Sequence, residues 1–215
     1  MTFLELCQEL VRIGGISGNG PVTTSGQTGE YRRVVMFIRQ AHEEICNQHF
    51  DWDFLWDQVV DTAEEEVVSA PDGLGIWDAE RLFLDGEQLN AVDYADYVPE
   101  TRDPARPHEA VIRPDGALQL VPEPDQAYPI RFDYFKACPA LTDDDDVPVI
   151  PARFQRAIIG RALMLLGNYE FAEDLMKQGQ EMYQQYLASL EAHQLSRRQQ
   201  THGRQEAKPI TVVAQ

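Results

Sequence analysis

Residues 128–163 read YPIRFDYFKACPALTDDDDVPVIPARFQRAIIGRAL, and inside this stretch the apolar spacing changes period. Ile130, Phe132 and Tyr134 alternate with Arg131, Asp133 and Phe135, a period of two that belongs to a strand. Beyond LTDDDDVPVIP, the residues Phe154, Ile158, Ala162, Leu165 and Leu166 recur at helical spacing. Ile159 and Leu163 widen that face until the helix reads as buried nearly all round. A strand therefore hands over to a core helix through an acidic, proline-rich link.

Working toward the C-terminus, Gly167 suits a left-handed helix end and Asn168 a cap for the next helix. Leu175, Gly179, Met182, Tyr186 and Leu190 then line one face to about His193, completing an antiparallel helical hairpin. Working toward the N-terminus, Pro114-Asp115-Gly116 between AVIR and ALQLV predicts one β-hairpin. Asp85-Gly86 between RLFL and EQLNAV predicts another, because glycine takes positive φ without steric cost. Phe50, Trp52, Phe54 and Trp56 alternate with Asp51, Asp53, Leu55 and Asp57, which predicts an extended segment with one aromatic face. Residues 55–136 thus read as a small antiparallel meander.

At the start of the chain, Thr2 followed by Glu5 forms a capping box. Phe3, Leu6, Cys7, Leu10 and Ile13 repeat on one face until Gly14 and Gly15 stop the helix. GGISGNGPVTTSGQTG, residues 14–29, holds no periodic apolar set and reads as a flexible loop, with Thr28 as the next cap. Tyr31, Val34, Val35, Ile38, His42, Ile45 and His49 form the stripe of a second helix reaching about Gln48. The expected fold class is α+β and mainly α: a core of four helices, an inserted small β-meander and an extended C-terminal arm. The expected parts are N-terminal helices over 1–54, the β-region over 55–140, the helical hairpin over 141–194 and the arm over 195–215. No internal repeat is found.

The chain has 215 residues, 43% of them hydrophobic, enough for one core or a core with a smaller appendage. It carries 36 acidic and 18 basic residues, net −18. The charge is unevenly placed. Residues 195–215 hold four basic side chains against one acid, whereas the preceding 194 residues hold 14 basic and 35 acidic, net −21. Sequence reading on duplex DNA is disfavoured, since that affinity comes from Lys and Arg neutralising phosphates. Three cysteines without CxxC spacing fit a reduced, intracellular setting. No apolar run nears the ~18 residues of a membrane span and no charged lead opens a signal sequence, so a soluble protein without membrane contact is expected.

The candidate chemistry is weak. His42, Cys46 and His49 fall at i, i+4 and i+7, which would put three zinc ligands on one helix face, but the same positions continue the apolar stripe and no fourth ligand follows. Asp143 to Asp146 lack the glycine and bidentate glutamate of a calcium loop, and with Glu64 to Glu66 they read as solvated charge. There is no GxSxG elbow, and GISGNG has neither a preceding strand nor a Walker lysine. The aromatic run has aspartates between its rings, which favours core packing over base stacking. No catalytic residue, metal or cofactor is expected, and the chain does not read as an enzyme.

The arm is different. Extended, its 21 residues reach about 70 Å at ~3.3 Å each, enough to cross onto a neighbouring subunit. It carries Arg197, Arg198, Arg204 and Lys208, and its end, Ile210, Thr211, Val212 and Val213, has strand propensity.

MTFLELCQELV, the loop GISGNGPVTTSGQTGEYRRVV, FDWDFLW and above all residues 128–163 resemble the head-to-tail adaptor proteins of short-tailed double-stranded DNA phages. The resemblance spans residues 1 to about 190. It is carried most specifically by Tyr134, Pro139, Leu141, Thr142, the four aspartates, Val147, Pro148, Ile150 and Pro151, in that order. It implies a helical core with an inserted β-region and a homo-dodecameric ring beneath the portal protein, in the virion neck between capsid and tail. The ring would be assembled in the host cytoplasm, extend the DNA channel and present a platform for the tail tube or nozzle protein. In similar adaptors the C-terminal arm contacts the portal, a role that falls here on Arg197, Arg198, Arg204, Lys208 and residues 210–213. An acidic wall would let double-stranded DNA pass during packaging and ejection without sequence-specific binding. The alternative is an acidic mimic of DNA that inhibits a DNA-processing enzyme.

Overall fold

A computed structural model describes residues 1–99 and 103–195 of the chain. It divides into a helical unit, Met1–Phe54 with Ala140–Gln215, and a β-unit, Leu55–Pro139.

The helical unit is built from α1 (Phe3–Gly14), α2 (Gly29–Cys46), α3 (Arg156–Glu170) and α4 (Glu173–Gln194). The capping box opens α1: the Glu5 N–H donates to Thr2 Oγ1 at 3.2 Å and the Thr2 N–H to Glu5 Oε2 at 2.8 Å. Gly15, at φ 67°, closes it and donates its N–H to the Val11 carbonyl. Phe3, Leu6, Cys7 and Leu10 are buried, as are Val34, Ile38, Ala41 and Ile45 of α2 and Ile158, Ile159, Ala162 and Leu163 of α3. At ~25 cal/mol per Å² of apolar area, this face is the main source of the unit's stability.

Where α3 meets α4 the backbones touch. A Cβ on Gly160 would lie 2.6 Å from the Tyr183 nitrogen, and one on Gly179 would lie 2.8 Å from the Gly160 carbonyl oxygen. Gly167 belongs to this contact and does not end the helix as predicted, since its absent Cβ makes room for the Met176 nitrogen at 2.7 Å. The helix continues to Glu170 and is closed by Phe171 at φ 56°, and Ala172, not Asn168, caps α4.

The acidic link is structural. The carbonyls of Asp146 and Asp144 accept the N–H groups of Phe3 and Leu4, at 2.7 and 3.1 Å, which satisfies donors that the first turn of α1 leaves open. Asp146 Oδ2 closes its own turn by accepting from the N–H of Thr142 and of Asp143. Asp144 Oδ1 accepts both the N–H and the Oγ1–H of buried Thr24, at 2.5 and 2.6 Å. The loop read as flexible is therefore tied down at Thr24. It is tied again where Gln8 donates to the Pro21 carbonyl and Tyr31 to the Ser17 carbonyl.

These bonds hold the Asp144 and Asp146 carboxyls below the usual aspartate range, the Thr24 hydroxyl and N–H acting on Asp144 and the Asp143 and Thr142 N–H groups on Asp146. A pKa lowered by folding contributes stability above the unfolded-state value, and that contribution is lost as pH falls through the folded one. The melting temperature of the helical unit is thus expected to drop as pH falls below about 4, and Asp144→Asn to flatten that drop while lowering stability at neutral pH. Thermal melts of both proteins at pH 7, 5 and 3 check this; an Asp144→Asn profile parallel to the parent's would refute the assignment. Thr24→Val, which removes one bond to the same carboxylate, should cost about 1 kcal/mol.

The aromatic run is not a strand with one aromatic face. Trp52 is fully buried and donates its indole N–H to the Ile45 and Cys46 carbonyls, at 3.1 Å each, satisfying the end of α2. Phe54 stacks on it at 5.3 Å within a single 3₁₀ turn, while Phe50 is exposed. The helix end, with carbonyls in need of donors, overrides the period of two.

The β-unit corrects the fold class. In place of a small meander inside a mainly helical protein there are two sheets of four strands each. The strands are β1 (Trp56–Ala63), β2 (Val67–Val68), β3 (Leu74–Leu84), β4 (Glu87–Gln88), β5 (Asn90–Asp93), β6 (Glu109–Ile112), β7 (Leu118–Val121) and β8 (Tyr128–Lys136). The first sheet has the order β1-β8-β3-β4 and the second β2-β7-β6-β5. β5 runs parallel to β6, which no meander allows. Both predicted turns occur: Asp85 and Gly86 have φ of 49° and 79°, the pair of positive values a primed turn requires, and Gly116 has φ 83°. The sheets share one core, to which the first gives Trp77, Leu82, Leu84, Ile130, Phe132 and Tyr134 and the second Ala110, Leu118 and Leu120. Trp77 packs edge-on against Phe132 and Tyr134 and donates to the Gly116 carbonyl at 2.8 Å.

Candidate functional site

The arm residues Arg197, Arg198, Arg204, Lys208, Ile210, Thr211, Val212 and Val213 lie outside the described residues. The remaining candidates fall on the two units.

In the helical unit, His42 and Cys46 are buried in the α2 stripe, with Cys46 Sγ 3.7 Å from His42 Nε2. His49 points elsewhere: its Nε2 is 3.2 Å from Glu191 and its ring lies edge-on to Trp52 at 4.9 Å. The predicted triplet is thus divided between core and surface. Burial pushes the Cys7 thiol up to about 12, with Arg39 acting weakly against it, so at neutral pH it carries almost no thiolate, the nucleophilic form. The depression bordered by Gln40, Glu44, Arg161 and Tyr183 holds no cysteine, serine or histidine that could act as a nucleophile or base. The polar contacts here hold helices in place: Arg161 bonds Glu44 across α3 and α2 at 2.5 Å, and Arg39 donates to the Leu141 and Thr142 carbonyls. The tip of the α3–α4 hairpin is exposed and aromatic, with Phe171 91% accessible and Tyr169 half covered by the Arg33 guanidinium, 4.6 Å above its ring.

The β-unit carries the densest charge. Residues 55–139 hold 19 acidic and 6 basic side chains, net −13, whereas residues 1–54 with 140–194 hold 16 and 8, net −8. On the outward face of the first sheet, Trp56, Phe135 and Ile76 are register partners across three strands, and Trp56 and Ile76 remain accessible. The next row is polar: buried Asp133 accepts from Gln58 Nε2 at 2.7 Å and pairs with Arg81 at 3.5 Å. Asp57 bonds Lys136 at 2.6 Å and accepts the Gln58 N–H, which together hold its carboxyl below the usual range.

Between the free edges of the two sheets lies a groove of about 400 Å³. Its floor is apolar, from Val59, Val67, Val68 and Ile130, and its rim is acidic, from Asp61, Glu64 and Glu65. Sequence reading took Glu64 and Glu65, with Glu66, as solvated charge. Glu66 of the same run is structural, its carbonyl accepting the Leu120 N–H and its carboxylate the Gln119 amide. No local signal in the sequence places Val59 beside Val68, because the two strands belong to different sheets.

No helix among the described residues is long and apolar enough to cross a membrane. Among curated proteins none matches the chain. The sequence matches the family described as SU10 adaptor protein over residues 1–208, a span that takes in both units. A buried thiol, polar contacts spent on helix packing and charge massed on a β-unit agree with that match, and the chain belongs to the SU10 adaptor protein family, whose members are phage structural adaptors.

Proposed function

We propose that the chain is a ring-forming head-to-tail adaptor. Twelve copies seat beneath the portal in the virion neck, after assembly in the host cytoplasm, extend the DNA channel and present a platform to the tail tube or nozzle. The observation that carries the reading is the family match over residues 1–208. The net −13 of the β-unit supports it, since a wall of that sign makes no lasting contact with phosphates and lets DNA move during packaging and ejection. The arm, through Arg197, Arg198, Arg204, Lys208 and the strand-forming residues 210–213, grips the portal. Repeated around a ring, weak contacts of this kind sum to high avidity.

Mixing the protein with its portal and imaging the product at packaging-like salt tests the reading, and stacked rings are expected. Removing residues 196–215 is expected to weaken portal docking more than tenfold while leaving the thermal melt of both units in place. Docking that survives the truncation would remove the arm from this role, and an absence of stacked rings with the full chain would count against the adaptor. Recovery of a nuclease and no portal from infected-cell extract would favour the inhibitor that imitates DNA.

A further inference from the structure

The groove between β1 and β2 lies where each sheet ends. β1 is the outer strand of one sheet and β2 of the other, so two strand edges border one apolar trough. Unpaired edges accept an added strand through main-chain hydrogen bonds, with side-chain pockets supplying selectivity. Val59 and Val68 continue the trough into the core of the β-unit. Asp61, Glu64 and Glu65 stand exposed on its rim, and no cation is paired with them among the described residues. Asp61 also accepts the Thr62 N–H at 2.8 Å, which blunts the edge against a neutral strand. A strand bearing Arg or Lys meets that carboxylate as an ion-pair partner instead.

The chain carries a segment of matching chemistry. Residues 196–215 hold four basic side chains against one acid and end in the β-branched run Ile210-Thr211-Val212-Val213. Twenty residues extend about 65 Å, long enough to leave one molecule and reach another. We propose that the acid-rimmed groove between β1 and β2 of one copy seats the basic, strand-forming C-terminal segment of a second copy. Lys208 and Arg204 meet Asp61, Glu64 and Glu65 while the apolar side chains of residues 210–213 enter the trough. The same residues serve the portal contact, so a given arm fills one seat or the other; this seat is the one taken between adaptor copies that are not docked on a portal, and its test involves no portal.

The test uses the full-length chain in sedimentation velocity. Self-association of the parent is expected to weaken at least tenfold between 0.05 and 0.5 M salt, as screening removes the ion pairs. Glu64→Lys with Glu65→Lys, or Arg204→Glu with Lys208→Glu, should each weaken it at least tenfold at low salt. Mixing the two charge-reversed proteins should restore it, because the reversed groove of one then faces the reversed arm of the other. Unchanged association in both reversed proteins would overturn the proposal and leave a ring built through other surfaces untouched. Restoration only when both reversals sit in one chain, with mixtures inactive, would show the segment folding onto its own groove and would overturn the second-copy assignment.

Discussion

Replacing Gly160 with valine should destabilise the helical unit by about 3 kcal/mol or more, a fall of about 6–12 °C in its melting temperature. Isolated helix propensity predicts the opposite sign, because a glycine inside an exposed helix is worse than alanine by ~1 kcal/mol. Here space decides. The added Cβ would lie 2.6 Å from the Tyr183 nitrogen and 3.0 Å from both the Gly179 carbonyl oxygen and the Tyr183 Cα, all backbone atoms that no side-chain rotation moves aside. The contact is reciprocal, since a Cβ on Gly179 meets the Gly160 oxygen and the Met164 nitrogen, each at 2.8 Å. Relief therefore requires α4 to shift as a body, which draws Leu190 out of its fully buried position. Calorimetry on Gly160→Ala and Gly160→Val checks the argument: graded losses are expected, and an alanine variant more stable than the parent would show that the helices separate at little cost.

Trp52→Ala should cost about 3–5 kcal/mol, the range for deleting a large buried aromatic. Two losses combine. One is the cavity left by a fully buried indole that stacks on Phe54 and touches the edge of His49. The other is the loss of the indole N–H at the end of α2, which leaves the Cys46 carbonyl without that donor while the Ile45 carbonyl keeps the Gln48 N–H at 3.3 Å. Trp52→Phe separates the two, because it keeps most of the ring and loses the donor, and it should cost about 1–2 kcal/mol from the hydrogen bonds alone. Urea titration followed by circular dichroism gives both values. Equal costs for the two variants would place the whole effect on the N–H.

The helices were legible where their signals are local. The Thr2/Glu5 box and the stripes of α1 and α2 follow from spacing within one turn of one element, and the primed turn at Asp85-Gly86 follows from two residues. The β-unit was under-read because its order is non-local. β1 pairs with β8 across more than half of the unit, its outer position exposes both faces, and its burial has no period of two to detect. β3 loses register with β8 between Trp77 and Leu82, and the parallel partner of β5 lies beyond a long connection. Gly167 was misassigned because the sequence records the missing side chain and not the Met176 backbone that occupies its place. The arm's charge could be read directly, whereas the groove required Val59, Val68 and Ile130 to be brought together by two sheets.

The register of the first sheet sets Trp56 opposite Phe135, so the strand that enters the β-unit and the strand that leaves it run side by side, roughly 5 Å apart. An insertion whose two ends are neighbours behaves as a cassette. It can be enlarged, trimmed or exchanged between related viruses without redrawing the helical scaffold that receives it, because the gap it must bridge stays the same whatever lies inside. The inserted half and the helical half are then free to diversify at different rates.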